Sequence, residues 1–308
     1  MKFRKIVLAS GSGYIGQKLA EYYRNKADEV VILSRRPKQQ RGNIKTVVWD
    51  GRTIGEWAKV LVNADMLINL CGKSVNCRYN EKNREEIISS RVESTLVLAN
   101  AINGLKTPPK VWINFTSATI YRHAQDRPQD EETSDIGYGF SIDVCRQWED
   151  AIFNAETSGV RKVALRTSIV MGKGGGALPA LLRLTHLGLG GRQGNGQQMV
   201  SWIHEHDMAR ITEWVFEHES LAGVINCTSP NALPNRDMMK GIRKALGVLA
   251  GIPSPQILLK IGAAIIGTET ELLLKSRWVY PKRLIDSGFK FHYADFDHAV
   301  NDLLAIHN

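Results

Sequence analysis

The sequence predicts an α/β fold built on a doubly wound parallel sheet, with a smaller α/β lobe after it. Two observations predict it. Short, continuously apolar runs alternate with longer segments whose apolar residues recur at spacings of three and four. The first apolar run also feeds directly into the glycine-rich text SGSGYIG. Strands without polar alternation are buried on both faces, which requires helices on each side of a parallel sheet.

The elements follow in order. Strands are expected at Ile6–Ala9, Val30–Leu33, Thr46–Trp49, Met66–Leu70, Val111–Phe115 and Lys162–Arg166, and amphipathic helices at Tyr14–Lys26, Arg84–Ile102 and Tyr138–Thr157. After about residue 170 the rhythm changes to glycine-dense text, GKGGGALPALL and GLGGRQGNGQQ, flanking a short helix; such loops often line a cleft. Asp207 is placed to cap a helix running to His218, Val224–Cys227 reads as another buried strand, and Asn235 opens a helix after Pro234. An apolar helix is expected near 256–267, PKRLIDSG ends in a glycine stop, and a last helix spans Asp295–Ile306. This pattern assigns 1–172 with 207–228 to a nucleotide-binding domain and 173–206 with 229–308 to a substrate-side lobe.

Composition narrows the classes. The chain has 308 residues, 43% hydrophobic and 23% charged, which is ordinary globular usage. Its apolar runs are too short to span a bilayer, so a membrane role is not expected. Four cysteines, Cys71, Cys77, Cys145 and Cys227, form no CxxC pair and have no His at ligand spacing. No metal site is expected, and reduced thiols point to a cytoplasmic protein. The net charge of +9 raises the question of nucleic acid, but the basic residues are scattered and no base-reading motif accompanies them. An anionic small ligand is the better expectation, and oligomeric state is not legible.

The glycine text carries the most chemistry. Gly11, Gly13 and Gly16 form GxGxxG between a strand and a helix, so Gly11, Ser12, Gly13, Tyr14, Ile15 and Gly16 are the expected cradle for a dinucleotide pyrophosphate. About 20 residues later an NAD-preferring site carries an acid on the ribose hydroxyls. This chain instead has SRRP, with Ser34, Arg35 and Arg36 at the end of the second strand. Guanidinium groups bind a 2′-phosphate that a carboxylate would repel, so the expected cofactor is NADP.

With these motifs the chain resembles the extended short-chain dehydrogenases/reductases, and within them the atypical sugar-nucleotide epimerase-like branch of the NAD-dependent epimerase/dehydratase type, which carries a C-terminal domain of unknown function. The similarity runs through ASGSGYIG, SRRP, VVWDG, INLCGKSV, EEIISSRVEST, NFTSATIY, CRQWE, LRTSIVMGKGGGAL, LGLGGRQGNGQQMVSWIH and PKRLIDSGFKF, nearly the whole chain. The resemblance implies a Rossmann fold and cofactor contacts at the glycine loop, Ser34 and Arg35, Leu70 and Cys71 before Gly72, Glu86, Arg91 and Val170. Leu70–Gly72 also falls at the end of the fourth strand, where an open parallel sheet binds ligand. Members usually carry glycine where Ser10 stands.

The larger departure is YGFSI, residues 138–142. In the wider superfamily a serine orients the substrate oxygen, a tyrosine exchanges a proton, and a lysine four residues on lowers the tyrosine's pKa. Ser117 and Tyr138 match the first two, but Ile142 stands in the lysine's place. A phenol titrating near 10 is about one part in a thousand ionised at neutral pH, a poor base for oxidising an alcohol. The expected function is therefore an NADP(H)-dependent oxidoreductase or epimerase-like enzyme on a small carbonyl, hydroxyl or sugar-type substrate, biased toward reduction. The alternative is a non-catalytic NADP(H)-binding sensor or scaffold. Candidate substitutes are Lys73 and Arg91, which could supply positive charge, Tyr121 and His123 just after Ser117, and His204 with Asp207.

Overall fold

The computed structural model describes residues 2–132, 135–255 and 275–305. Seven strands form one sheet: β1 (Phe3–Ala9), β2 (Ala27–Ser34), β3 (Ile44–Val48), β4 (Met66–Asn69), β5 (Val111–Asn114), β6 (Arg161–Thr167) and, later in the chain, β11 (Gly223–Cys227). Their order is β11-β6-β5-β4-β1-β2-β3, and every pairing is parallel. The chain winds one way from β1 to β3 and the other way from β4 to β11. The switch therefore falls between β1 and β4, which is where an open parallel sheet holds its ligand.

Helices α1 (Tyr14–Tyr23), α2 (Glu81–Asn103) and α3 (Phe140–Phe153) follow β1, β4 and β5. The sheet is covered on both sides as the apolar strands require. Leu8, Leu19, Ile32, Ile113 and Ile211 belong to one core, and Val7, Leu33, Leu67, Leu98 and Trp112 to the other. Asn80 starts α2 by accepting from the Asn83 amide at 2.9 Å, a side-chain cap that the expected start at Arg84 overlooked. The third helix likewise begins at Phe140, because Gly139 before it holds a φ of 102° that ends any helical path from Tyr138.

The second lobe is built from short pieces. β7 (Ile169–Gly172) pairs with β10 (Trp202–His204) and β8 (Gly175–Gly176), and β9 (Met199–Val200) pairs with β12 (Leu233–Pro234). Helices α4 (Leu178–Leu184), α5 (Glu205–Glu217), α6 (Asn235–Ala245), α7 (Lys282–Asp286) and α8 (Phe296–Leu304) complete the described chain. Met171, Leu178, Trp202, Met239, Phe296 and Val300 belong to its separate core. The helix expected near 256–267 lies outside the described residues. His204, not Asp207, caps α5, its ring nitrogen accepting from the His206 amide at 3.1 Å. Asp207 is buried one turn in and accepts instead from Arg210 at 2.7 Å and from the His292 and Tyr293 amides at 3.1 and 2.8 Å. No described helix is long and apolar enough to cross a membrane.

Candidate functional site

The glycine loop shows why each residue is there. Ser10 turns the chain off β1 in the left-handed region, with φ 56°, so the place that usually carries glycine in the resembled branch keeps a glycine-like backbone. A Cβ on Gly16 would lie 2.3 Å from the Gly11 α-carbon and carbonyl oxygen, whereas one on Gly13 would meet nothing within 4 Å. Gly16 thus serves close packing of α1 on the loop, and Gly13 leaves the loop's outer face open. No side chain caps α1, and its first turn carries no acid. An uncapped helix start beside an open glycine face fits a phosphate-bearing group. Tyr14 turns its side chain away: its hydroxyl donates to Glu205, and its ring fills the space that a side chain at Gly175 would need.

Ser34 is buried at the end of β2 and its hydroxyl accepts from the Arg36 amide at 3.4 Å, while Arg35 and Arg36 are exposed. At the end of β4, the Leu70 amide donates to Ala9 and the Cys71 thiol donates to the Ser10 hydroxyl at 3.2 Å, so the β1 and β4 loops are joined directly. Burial pushes the Cys71 thiol up to about 11, which makes it a packing group rather than a nucleophile.

Arg91 reaches back from α2 over Gly72, where a Cβ would come 2.9 Å from its guanidinium carbon. Its described contacts are the Ile87 carbonyl at 2.9 Å and the Trp148 ring at 5.0 Å, with no carboxylate among them. Burial lowers its pKa below the ordinary arginine value. Glu86, by contrast, is paired with Lys73, whose amine also donates to Asn83 at 2.7 Å. Val170 is buried in β7 against the first core.

Ser117 follows β5 and caps a short 3-10 turn, Ala118–Ile120, accepting from the Thr119 amide at 3.2 Å. It lines two small cavities. One, about 100 Å³, is bounded by Arg91, Ser141, Cys145 and Trp148. The other, about 130 Å³, is bounded by Ser168, Ser201 and Arg277. The Trp148 indole N–H is buried and meets no acceptor among the described residues. A larger cavity of about 810 Å³ lies around Arg4, Asp65, Lys110 and Arg161 at the opposite, N-terminal ends of the strands, the wrong edge for a ligand of this sheet.

Tyr138 is not drawn into either cavity. It precedes α3 and is 91% exposed. Ile142 is fully buried in a cluster with Ala118, Ile120, Tyr121, Cys145 and Val279. Tyr121, His123 and His204 each have partners of their own. The Tyr121 hydroxyl donates to Asn226 at 3.0 Å, His123 accepts from the Ser276 amide at 3.0 Å, and His204 stacks on Tyr293 at 3.7 Å. Beneath Ser117, Arg166 makes a bidentate pair with buried Glu149 at 2.8 and 2.7 Å and lies over the Tyr121 ring. Sequence reading missed Arg277 and Ser201, which come to this wall only through the fold of the second lobe.

The parallel sheet, its switch point and the glycine loop define a nucleotide-binding α/β protein. The chain belongs to the NAD dependent epimerase/dehydratase family, whose model matches residues 6–227, and residues 254–303 match a domain of unknown function, DUF1731. It is 30% identical to the human epimerase family protein SDR39U1 over 305 residues, covering 98% of this chain and 100% of that protein. It is also 30% identical to the Bacillus subtilis epimerase family protein YfhF, covering 97% and 98% of the two chains. The crystal structure of human SDR39U1 with NADPH superposes with a TM-score of 0.86 at 29% identity, over 97% of this chain and 98% of that one.

Proposed function

We propose that this chain binds NADP(H) and uses it to reduce a small carbonyl compound held between the sheet and the second lobe. The observation that carries the reading is the position of Ser117. It follows β5 at the C-terminal edge of the sheet and lines both small cavities there. Bound NADPH would supply a hydride. The chain's own part is to hold the carbonyl oxygen at the Ser117 hydroxyl and to keep the pocket closed to water. Arg35 and Arg36 at the end of β2, with the human relative crystallised with NADPH, support the phosphorylated cofactor.

Reduction is favoured over epimerisation because the latter needs a base for the oxidative half, and Ile142 supplies none. The free cysteines suit a cytoplasmic setting. The test is NADPH consumption over a panel of carbonyl compounds, with Ser117→Ala expected to lower turnover about 10²-fold or more while leaving NADPH affinity within twofold. Tight NADPH binding with no turnover on a broad panel would favour the second reading, a non-catalytic NADP(H)-binding protein. That reading draws its support from Tyr138, whose ring points its exposure to solvent rather than into either cavity.

A further inference from the structure

We infer that Glu205 of the second lobe, acting through the Tyr14 phenol, is a positioning residue for the cofactor's pyrophosphate, because it holds the first turn of α1 in the shape that receives the phosphates. This rests on the NADP(H) reading and adds to it a contact from outside the glycine loop. Tyr14 is the first residue of α1, directly after Gly13, and the Gln17 amide donates to the Gly13 carbonyl at 2.9 Å. The amides of Tyr14, Ile15 and Gly16 precede that bond and have no partner one turn back in the helix, and such amides are what a helix start offers to a phosphate. Their direction depends on the backbone at Tyr14.

That residue is anchored at its far end. The Tyr14 hydroxyl donates to the Glu205 carboxylate, whose other oxygen accepts from Lys18 at 2.7 Å. Tyr14 and Lys18 are four residues apart on one face of α1, so a single carboxylate fixes both. Glu205 is the first residue of α5, directly after the capping His204, and its side chain is only 12% exposed, which shields the bond from solvent. Burial first, and then the bond to Glu205, hold the Tyr14 phenol above the ordinary tyrosine pKa, so it remains a donor at neutral pH.

The glycines of GKGGGAL supply an independent observation. A Cβ on Gly172 would lie 2.1 Å from the Tyr14 hydroxyl and 2.2 Å from the Glu205 carboxylate, and one on Gly175 would lie 2.3 Å from the Tyr14 ring. Neither glycine has the positive φ that would call for it on backbone grounds. The space taken by Tyr14 and Glu205 is what requires glycine at both, so the β7–β8 turn is shaped around this pair. A phosphate loop already held in its bound shape spares the binding step the entropy of ordering it.

The experiment uses the full chain and reads binding. NADPH and adenosine 2′-monophosphate, which carries the 2′-phosphate but no pyrophosphate, are titrated into wild type, Tyr14→Phe, Glu205→Ala, their double variant and Glu205→Gln. Tyr14→Phe keeps the ring beside Gly175 and removes only the hydroxyl. It and Glu205→Ala should each weaken NADPH roughly five- to thirtyfold, the equivalent of fixing one residue's backbone on binding. The double variant should bind no more weakly than the weaker single, since both remove the same bond. Glu205→Gln keeps an acceptor for the phenol and should recover most of the affinity that Glu205→Ala loses. Adenosine 2′-monophosphate, held at the Arg35 end, should change by no more than about twofold in any variant.

The inference is overturned if Tyr14→Phe binds NADPH as wild type does, or if the two single losses add in the double variant. It is overturned equally if adenosine 2′-monophosphate weakens as much as NADPH, which would mark a general loosening of the fold. Should Tyr14→Phe fail to unfold cooperatively in urea, Gly172→Ala, whose methyl displaces the phenol from the lobe's side, decides on the same two ligands. A wild-type protein that binds no NADPH refutes the cofactor reading and this inference with it. One that binds NADPH with an affinity indifferent to Tyr14 and Glu205 sinks this inference alone.

Discussion

Restoring the superfamily's lysine should destabilise the protein rather than repair it. Ile142 is fully buried, in contact with a cluster that includes Ile120, Tyr121 and Val279, and the Tyr121 ring already carries the Arg166 guanidinium 4.9 Å from its centroid. Ile142→Lys removes a buried side chain worth about 1.5–3 kcal/mol. It also places an amine where desolvation and a neighbouring cation both oppose its charge. Burial can lower a lysine pKa by up to about 3–5 units, at about 1.4 kcal/mol each. Partial escape of the amine to solvent makes a total of about 3–6 kcal/mol the reasonable expectation, a large share of the ~5–15 kcal/mol that holds a domain together.

The assay is urea unfolding of wild type, Ile142→Lys and Ile142→Met. The sign is fixed by linkage. A lysine whose folded pKa is depressed binds fewer protons folded than unfolded, so its penalty is full below the folded pKa and fades as pH rises toward the unfolded value near 10.4. The gap between wild type and Ile142→Lys should therefore narrow between pH 7.5 and 10.5, while Ile142→Met stays within about 1.5 kcal/mol throughout. An Ile142→Lys protein as stable as wild type at pH 7.5, with newly efficient alcohol oxidation, would refute the reasoning. It would show that the position faces the cofactor and only lacks its cation.

Other expectations follow from single contacts. Gly16→Ala drives a methyl into the Gly11 backbone at 2.3 Å and should cost about 1–3 kcal/mol in thermal unfolding, whereas Gly13→Ala should unfold like wild type yet bind NADPH more weakly. If both glycines behave alike, their assigned roles are wrong. Arg35→Asp should cut the preference for NADPH over NADH by roughly ten- to hundredfold in paired binding titrations; an unchanged ratio removes the account of SRRP. His204 is lowered from 6.5 to about 4 because burial outweighs the nearby carboxylates of Asp302, Glu205 and Asp207. Its contribution is therefore complete above pH 6.5 and lost as pH falls toward 4, about 3 kcal/mol over that window. His204→Asn, which preserves a capping acceptor, should flatten that slope in chemical unfolding.

The sheet and the phosphate loop were legible because both are local. A continuous apolar run of strand length bounded by turn residues reads as a doubly covered strand, and GxGxxG needs only its two neighbours to define it. Helix starts were less legible, since they turn on one capping atom or one positive φ, as at Asn80 and Gly139. The wall opposite the cofactor was not legible at all. Arg277 is 160 residues from Ser117 in sequence. The hydrogen bonds that bring them to one cavity run through backbone groups and through the Ser201, Ser276 and His123 side chains, pairings between distant segments that no local pattern announces.

Ile142 and Arg277 then belong to one argument. Val279, two residues beyond Arg277, packs in the same apolar cluster as Ile142, and its amide is held by Ser201. The position that would carry a lysine in the resembled superfamily is thus where α3 receives the second lobe, and an ammonium there would break the contact that seats Arg277. On the proposed reading, charge has moved rather than vanished: the cleft beside Ser117 keeps a guanidinium, that of Arg91 from α2. A cation beside a phenol favours proton removal, but guanidinium groups beside a substrate's oxyanion favour binding and leave proton donation to neutral groups. On that reading the arrangement favours reduction over oxidation, and turnover should be lost when the lobe is undocked by a charge at position 142.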